Sequence, residues 1–131
     1  MNREEFQRIA EIRAEEAIVL FENQKYDGAY YLAGYAIECA LKACIAKKTR
    51  QYDFPPNAKT IQRIYTHNLN TLLQEAGLQF PNDDIETNWL VVKDWTEQAR
   101  YTQIDQDIAS DMIDSALHPE EGVYKWLKTH W

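Results

Sequence analysis

The stretch Ala29 to Ile45 constrains the fold of this chain more than any other part of the sequence. Ala29, Ala33, Ala36, Ile37, Ala40, Leu41, Cys44 and Ile45 recur with the 3.6-residue period of one helix face. The many alanines, together with Gly34, let a neighbouring helix come close. Asp27 reads as the N-cap of this helix, and its end is expected near Thr49. Upstream, Asn2 followed by Glu5 forms a capping box. Phe6, Ile9, Ala10, Ala17, Leu20 and Phe21 then keep helical spacing, so a first helix should run to about Asn23. The short link Gln24 to Asp27 joins the two as an antiparallel hairpin.

The remainder also reads as helices separated by breakers. Arg50 to Asn57 is a loop containing Pro55-Pro56, and a short helix is expected over Ala58 to Tyr65. Asn68 caps a further helix, Leu69 to Ala76, which Gly77 ends. Pro81 to Asp84 is a turn, with Asp84 as the cap of a helix through Trp95 and Arg100-Tyr101 at or just after its end. A last helical region starts near Asp105 and carries Ile108, Met112, Ile113 and Leu117. Pro119 either kinks it or begins a new segment. No segment alternates as a strand does. The expected architecture is all-α, an up-and-down bundle of four to five helices, with residues 1–131 as a single domain.

No secretory signal or membrane-spanning run is visible, so the expected location is the cytoplasm. Cys39 and Cys44 lie five apart, which turns a helix by about 140°. Their thiols point away from each other and read as small buried hydrophobes rather than a disulfide or metal ligands. The net charge of −7 argues against binding DNA or other naked nucleic acid through bulk charge. That charge is unevenly spread, at −4 over residues 1–41, +5 over 42–67 and −8 over 68–131. The basic island contains Lys42, Lys47, Lys48, Arg50, Lys59 and Arg63. It either complements a helix C-terminus or marks a local anion site.

Tyr31, Tyr35, Glu38 and Lys42 follow at spacings of four, three and four, which places them on one face of the second helix. Taken alone, this is a polar seam. His67, just before a helix start, suits anion binding, proton transfer or simple packing. His118 and His130 are expected at the surface. The sequence contains no zinc spacing, no glycine-rich phosphate loop and no nucleophile elbow, and no cofactor is implied.

The run Tyr26-Asp27-Gly28-Ala29-Tyr30-Tyr31-Leu32-Ala33-Gly34-Tyr35-Ala36-Ile37-Glu38-Cys39-Ala40-Leu41-Lys42-Ala43 resembles the second helix of HEPN-domain proteins, with their Glu and Lys four residues apart. Thr66-His67-Asn68-Leu69 is similar to the family's Thr-His-(Asp/Asn)-Leu segment. Trp95 with Arg100-Tyr101 is similar to its Arg-Tyr motif, and Lys125-Trp126-Leu127-Lys128 to its C-terminal segment. The resemblance spans roughly Arg3 to Lys128. It implies a helical bundle, often a homodimer, and frequently a toxin–antitoxin pairing with a minimal nucleotidyltransferase. It also implies nucleotide or RNA binding, with Glu38, Lys42, His67, Arg100 and Tyr101 converging on one pocket and Tyr31 and Tyr35 stacking a base.

Active ribonucleases of the family place four to six residues between an Arg and a His and need no metal. Arg63 and His67 have three residues between them. The leading expectation is therefore a nucleotide- or RNA-binding module, or a nucleotidyltransferase partner, without a clear catalytic motif. One alternative is a metal-independent ribonuclease using His67 as acid/base and Arg63 to stabilise the phosphorane. Another is a plain oligomerisation or adaptor bundle.

Overall fold

The structure is a computed structural model and describes residues 1–52 and 64–131. Among the described residues every regular element is helical: α1 (Arg3–Glu22), α2 (Tyr26–Tyr52), α3 (Leu69–Ala76), α4 (Asp83–Val92), a 3-10 turn (Glu97–Tyr101), α5 (Gln106–Leu117) and α6 (Val123–Lys128). None of these helices is long and apolar enough to cross a membrane.

Helix α2 is the axis of the bundle. Helices α1, α3, α5 and α6 and the 3-10 turn all pack against it. Its alanines 29, 33, 36, 40 and 43 are fully buried. Small side chains bring the neighbouring backbones close, while Ile37 and Leu41 fill the space left between them. Leu69, Leu72, Met112 and Leu127 come from the surrounding helices to close the same core.

Gly34 marks the tightest approach. A Cβ built there would lie 2.2 Å from Cδ1 of Trp95 and 2.3 Å from its Nε1. The indole therefore rests directly on the α2 backbone. It is 2% exposed, and its other neighbours include the ring of Tyr31, 5.9 Å away between centroids.

Local signals set most of the boundaries. The capping box of α1 is formed, with Asn2 Oδ1 accepting from Glu5 N and Glu5 Oε2 accepting from Asn2 N, both at 2.8 Å. Asn68 caps α3 and Gly77 ends it in the left-handed conformation. Asp105 caps α5.

Four boundaries differ from the expectations. Helix α2 begins at Tyr26, because Gln24 takes the left-handed conformation that closes the hairpin. Asp27 thus lies in its first turn, and its Oδ1 accepts from Ile104 N at 2.5 Å instead of capping. Helix α2 also continues to Tyr52 rather than ending near Thr49. Helix α4 is capped by Asn82 and stops at Val92, since the chain must leave the helix for Trp95 to fold back onto Gly34. Of the two readings of Pro119, the new segment holds: Pro119 sits in a turn after Leu117, and Val123 then opens the separate helix α6. The helix expected over residues 58–65 falls almost wholly outside the described residues.

Both cysteines are buried and free. Burial pushes each thiol up from 9.0 to about 12. Between those values the unfolded chain gives up both thiol protons while the folded chain keeps them. Stability is therefore complete below pH 9 and falls as pH rises towards 12, by about 1.4 kcal/mol per pH unit for each thiol. Urea unfolding at pH 8 and pH 10 measures the slope. Cys39→Ala with Cys44→Ala should flatten most of it, and an unchanged slope would place the alkaline loss elsewhere.

Candidate functional site

A carboxylate taken out of water must be matched by cations or hydrogen-bond donors. Glu38 is that group: it is 2% exposed, in the middle of α2. One turn on, Lys42 places Nζ 3.1 Å from Glu38 Oε2. His67 places Nδ1 2.8 Å from Glu38 Oε1. Each carboxylate oxygen thus has its own partner.

The position of His67 follows from the turn that starts α3. Thr66 Oγ1 accepts from Asn68 N at 3.1 Å, and Asn68 Oδ1 accepts from Thr71 N at 2.9 Å. These bonds bend the chain so that the ring between them drops onto Glu38. An ionised carboxylate only accepts, so Nδ1 carries the proton in this contact. In the neutral ring Nε2 is then left as an acceptor. The side chain is 47% exposed, so the ring is held at one nitrogen and open at the other side.

A groove of about 440 Å³ lies beside this ring, walled by residues 66–70 on one side and 93–97 on the other. Trp95 fixes the second wall through its seat on Gly34. Trp89 Nε1 donates to Asn70 Oδ1 at 3.2 Å. Lys93, Asp94 and Glu97 add charges of both signs. A larger hollow of about 490 Å³ between α1 and α6 is lined by Glu11, Glu15, Lys125 and Lys128 together with His118, and it contains none of Tyr31, Tyr35, Glu38, Lys42, His67, Arg100 and Tyr101.

The sequence-derived residues do not all meet at this groove. Glu38, Lys42 and His67 do form one network. Tyr31 and Tyr35 stack on each other, with centroids 6.1 Å apart and planes at 19°, and so occupy each other's faces. Burial first, then Cys39 and Glu38, pushes the Tyr35 phenol up from 10.0. Arg100 and Tyr101 stand on the exposed 3-10 turn, where the guanidinium lies 4.9 Å over the Tyr101 ring. They are not among the residues lining the groove. The bond from Ile104 N to Asp27 holds the chain just beyond them at the start of α2. Glu38 lies eleven residues further along that helix, about 16 Å away along its axis. Arg63 lies outside the described residues.

The basic island divides as well. Lys47 and Lys48 line a separate hollow with Cys44, Gly77 and His130. Lys48 Nζ donates to the Glu75 carbonyl at 3.1 Å, so it complements the C-terminal end of α3. His118, expected at the surface, is half-buried, and its Nδ1 accepts from the backbone of Glu120 and Glu121 at 3.1 Å each. Among the described residues no group of three or more His, Cys, Asp or Glu is placed to hold a metal ion.

Asn70, Lys93, Asp94 and Glu97 were not singled out from the sequence. They are ordinary polar residues at a helix start and in a connecting turn, and only tertiary packing brings them together across a groove.

The HEPN domain family model matches residues 4–130, which is nearly the whole chain. No curated protein and no solved structure matches it. With an all-helical fold and a family match of this extent, the chain belongs to the HEPN domain family.

Proposed function

We propose that this HEPN protein binds a nucleotide or RNA phosphate in the groove beside His67. The observation that carries the reading is the ring held by Glu38 at Nδ1 while its other face stays open to a groove at the N-terminal end of α3. Helix N-termini offer unpaired N–H groups and positive dipole, which favour an anion. Lys93 and, when protonated, His67 add side-chain charge. In this reading Glu38 and Lys42 do not touch the ligand. They fix the ring that does.

The test is a titration of labelled single-stranded RNA by fluorescence anisotropy. His67→Ala should weaken binding by about tenfold, the value of one charge-assisted hydrogen bond. Equal affinity for wild type and His67→Ala would remove the groove from the binding reaction.

A ribonuclease reading is favoured by the same pair, because a carboxylate-anchored imidazole is poised to exchange protons. His67 Nε2 would move the proton and Arg63 would stabilise charge on phosphorus. Cleavage of total RNA in EDTA, lost in His67→Ala and in Arg63→Ala, would establish it. A homodimer and a nucleotidyltransferase partner, the toxin–antitoxin arrangement, are compatible with either reading. Exposed Val19, Leu90 and Ile108 give apolar surface for such contacts.

A further inference from the structure

Helix α6 is six residues long, and a helix that short does not hold its shape alone. It stays in place because Val123, Trp126 and Leu127 are buried against the rest of the bundle. Its N-terminus has no side-chain cap. What fixes its start is the turn before it. Gly122 N donates to His118 O at 3.1 Å, and Trp126 N donates to Gly122 O at 3.3 Å. The same turn is tied to α4, where Asn88 Nδ2 donates to the Glu121 carbonyl at 2.8 Å.

His118 caps this turn. Its backbone is extended, with ψ at 133°, and its Nδ1 accepts from Glu120 N and Glu121 N, two and three residues on, at 3.1 Å each. An N-cap side chain takes up free N–H groups in this way, and Pro119 fills the first position, where no N–H is needed. The usual caps accept through oxygen. An imidazole accepts only while Nδ1 is bare, so the proton of the neutral ring is on Nε2. An imidazolium has a donor at both nitrogens, and no orientation of it offers those two N–H groups an acceptor. Histidine is also the side chain whose charge ordinarily changes between about pH 5 and 8.

Charges of both signs surround the ring. Glu11 and Glu15 from α1, and Lys125, Lys128 and the neutral phenol of Tyr124 from α6, share the hollow with it. Glu120 and Glu121 belong to its own turn, and Asp114 stands one turn back on α5. The contact from α4 is the neutral amide of Asn88. The carboxylates favour the cation, but their residues are exposed and the solvent screens them. The two N–H groups touch Nδ1 directly, and they decide the sign.

We propose that His118 is an acid-sensitive latch on α6. The neutral ring holds the turn that leads into the helix, and a proton on Nδ1 releases that turn, so α6 opens more often. The latch is closed at neutral pH and lost as pH falls. Acid acts on His67 in the opposite sense, because a second proton makes that ring a full cation against Glu38. One change of pH thus tightens the Glu38 clamp and loosens the C-terminal helix.

The test is amide hydrogen exchange by NMR at pH 7.5 and pH 5, with each rate divided into its intrinsic value at that pH. The amides of Glu120, Glu121 and Trp126 report on the latch, and those in the middle of α2 are the internal reference. In wild type the protection of the reporting amides should fall about tenfold on acidification relative to the reference, the worth of one lost cap. His118→Asn keeps a capping acceptor that does not titrate, and should retain its protection at both pH values. His118→Ala should be poorly protected at both. Protection in wild type that is the same at the two pH values overturns the latch. A fall in His118→Asn as large as in wild type overturns it too, and assigns the acid response to other groups, such as His130, whose ring packs edge-on against Trp126. The comparison of wild type with His118→Asn decides the matter even where His118→Ala does not fold.

Discussion

Replacing Gly34 by alanine is expected to destabilise the protein by about 3 kcal/mol. Overpacking a core costs roughly 1–3 kcal/mol, and a displaced aromatic ring raises that. Here the added methyl would meet Trp95 at 2.2 Å, and the indole is rigid and 2% exposed. Helix propensity works the other way, since alanine is better than glycine in a helix by about 1 kcal/mol. The two effects differ in sign, so the experiment discriminates cleanly. Thermal melts should show Tm falling by roughly 10 °C for a chain of this size. Trp95→Ala, combined with Gly34→Ala, should cost less than the two single changes added together, because the clash has been removed. A Gly34→Ala protein that melts higher than wild type would mean that the indole does not sit on this helix. Since Trp95 also walls the groove, the same substitution should weaken ligand binding.

The second large effect concerns Glu38. Glu38→Ala leaves Lys42 and His67 without their shared anion. Removing one partner of a buried pair costs roughly 3–5 kcal/mol. The Lys42 side chain is 13% exposed and that of His67 47%, so both can turn towards water, and about 2 kcal/mol is expected by urea unfolding. Nitrogen-15 chemical shifts of the His67 ring supply an independent readout. Wild type should show the proton on Nδ1 in the neutral form, and Glu38→Ala should shift the balance to Nε2. Glu38→Gln keeps an acceptor and should retain part of the Nδ1 preference. A ring whose tautomer is the same in all three proteins would show that Glu38 does not hold it.

Much of the bundle was legible in the sequence because local chemistry decided it. The Asn2–Glu5 box, the Asn68 and Asp105 caps and the alanine stripe each specify an element without outside help. Asp27 and the end of α4 were misplaced for the opposite reason. Asp27 is claimed by a backbone N–H 77 residues away, and α4 ends where it does to serve Trp95. The site divides along the same line. Glu38 and Lys42 share a helix, so their pairing is a matter of spacing, and the Thr-His-Asn turn delivers His67. Spacing on one helix also put Tyr31 and Tyr35 together, but it gave no sign that the rings would face each other. Arg100 and Tyr101 were grouped with the pocket by family motif, yet a 3-10 turn carries them elsewhere. The far wall of the groove comes from residues 93–97, whose role arises only when Trp95 seats on Gly34.

The burial of Glu38 bears on how the protein responds to ionic strength. Mobile ions screen charges that they can surround, over about 8 Å at physiological salt, and they screen buried pairs much less. Both oxygens of Glu38 are occupied and its side chain is 3% exposed, so the clamp on His67 lies largely beyond their reach. Contacts made in the open groove have no such shelter. On the proposed phosphate reading, added salt would loosen the ligand from the groove while the imidazole beneath stays aimed, so its retention would be adjustable from outside and the geometry that receives it would not.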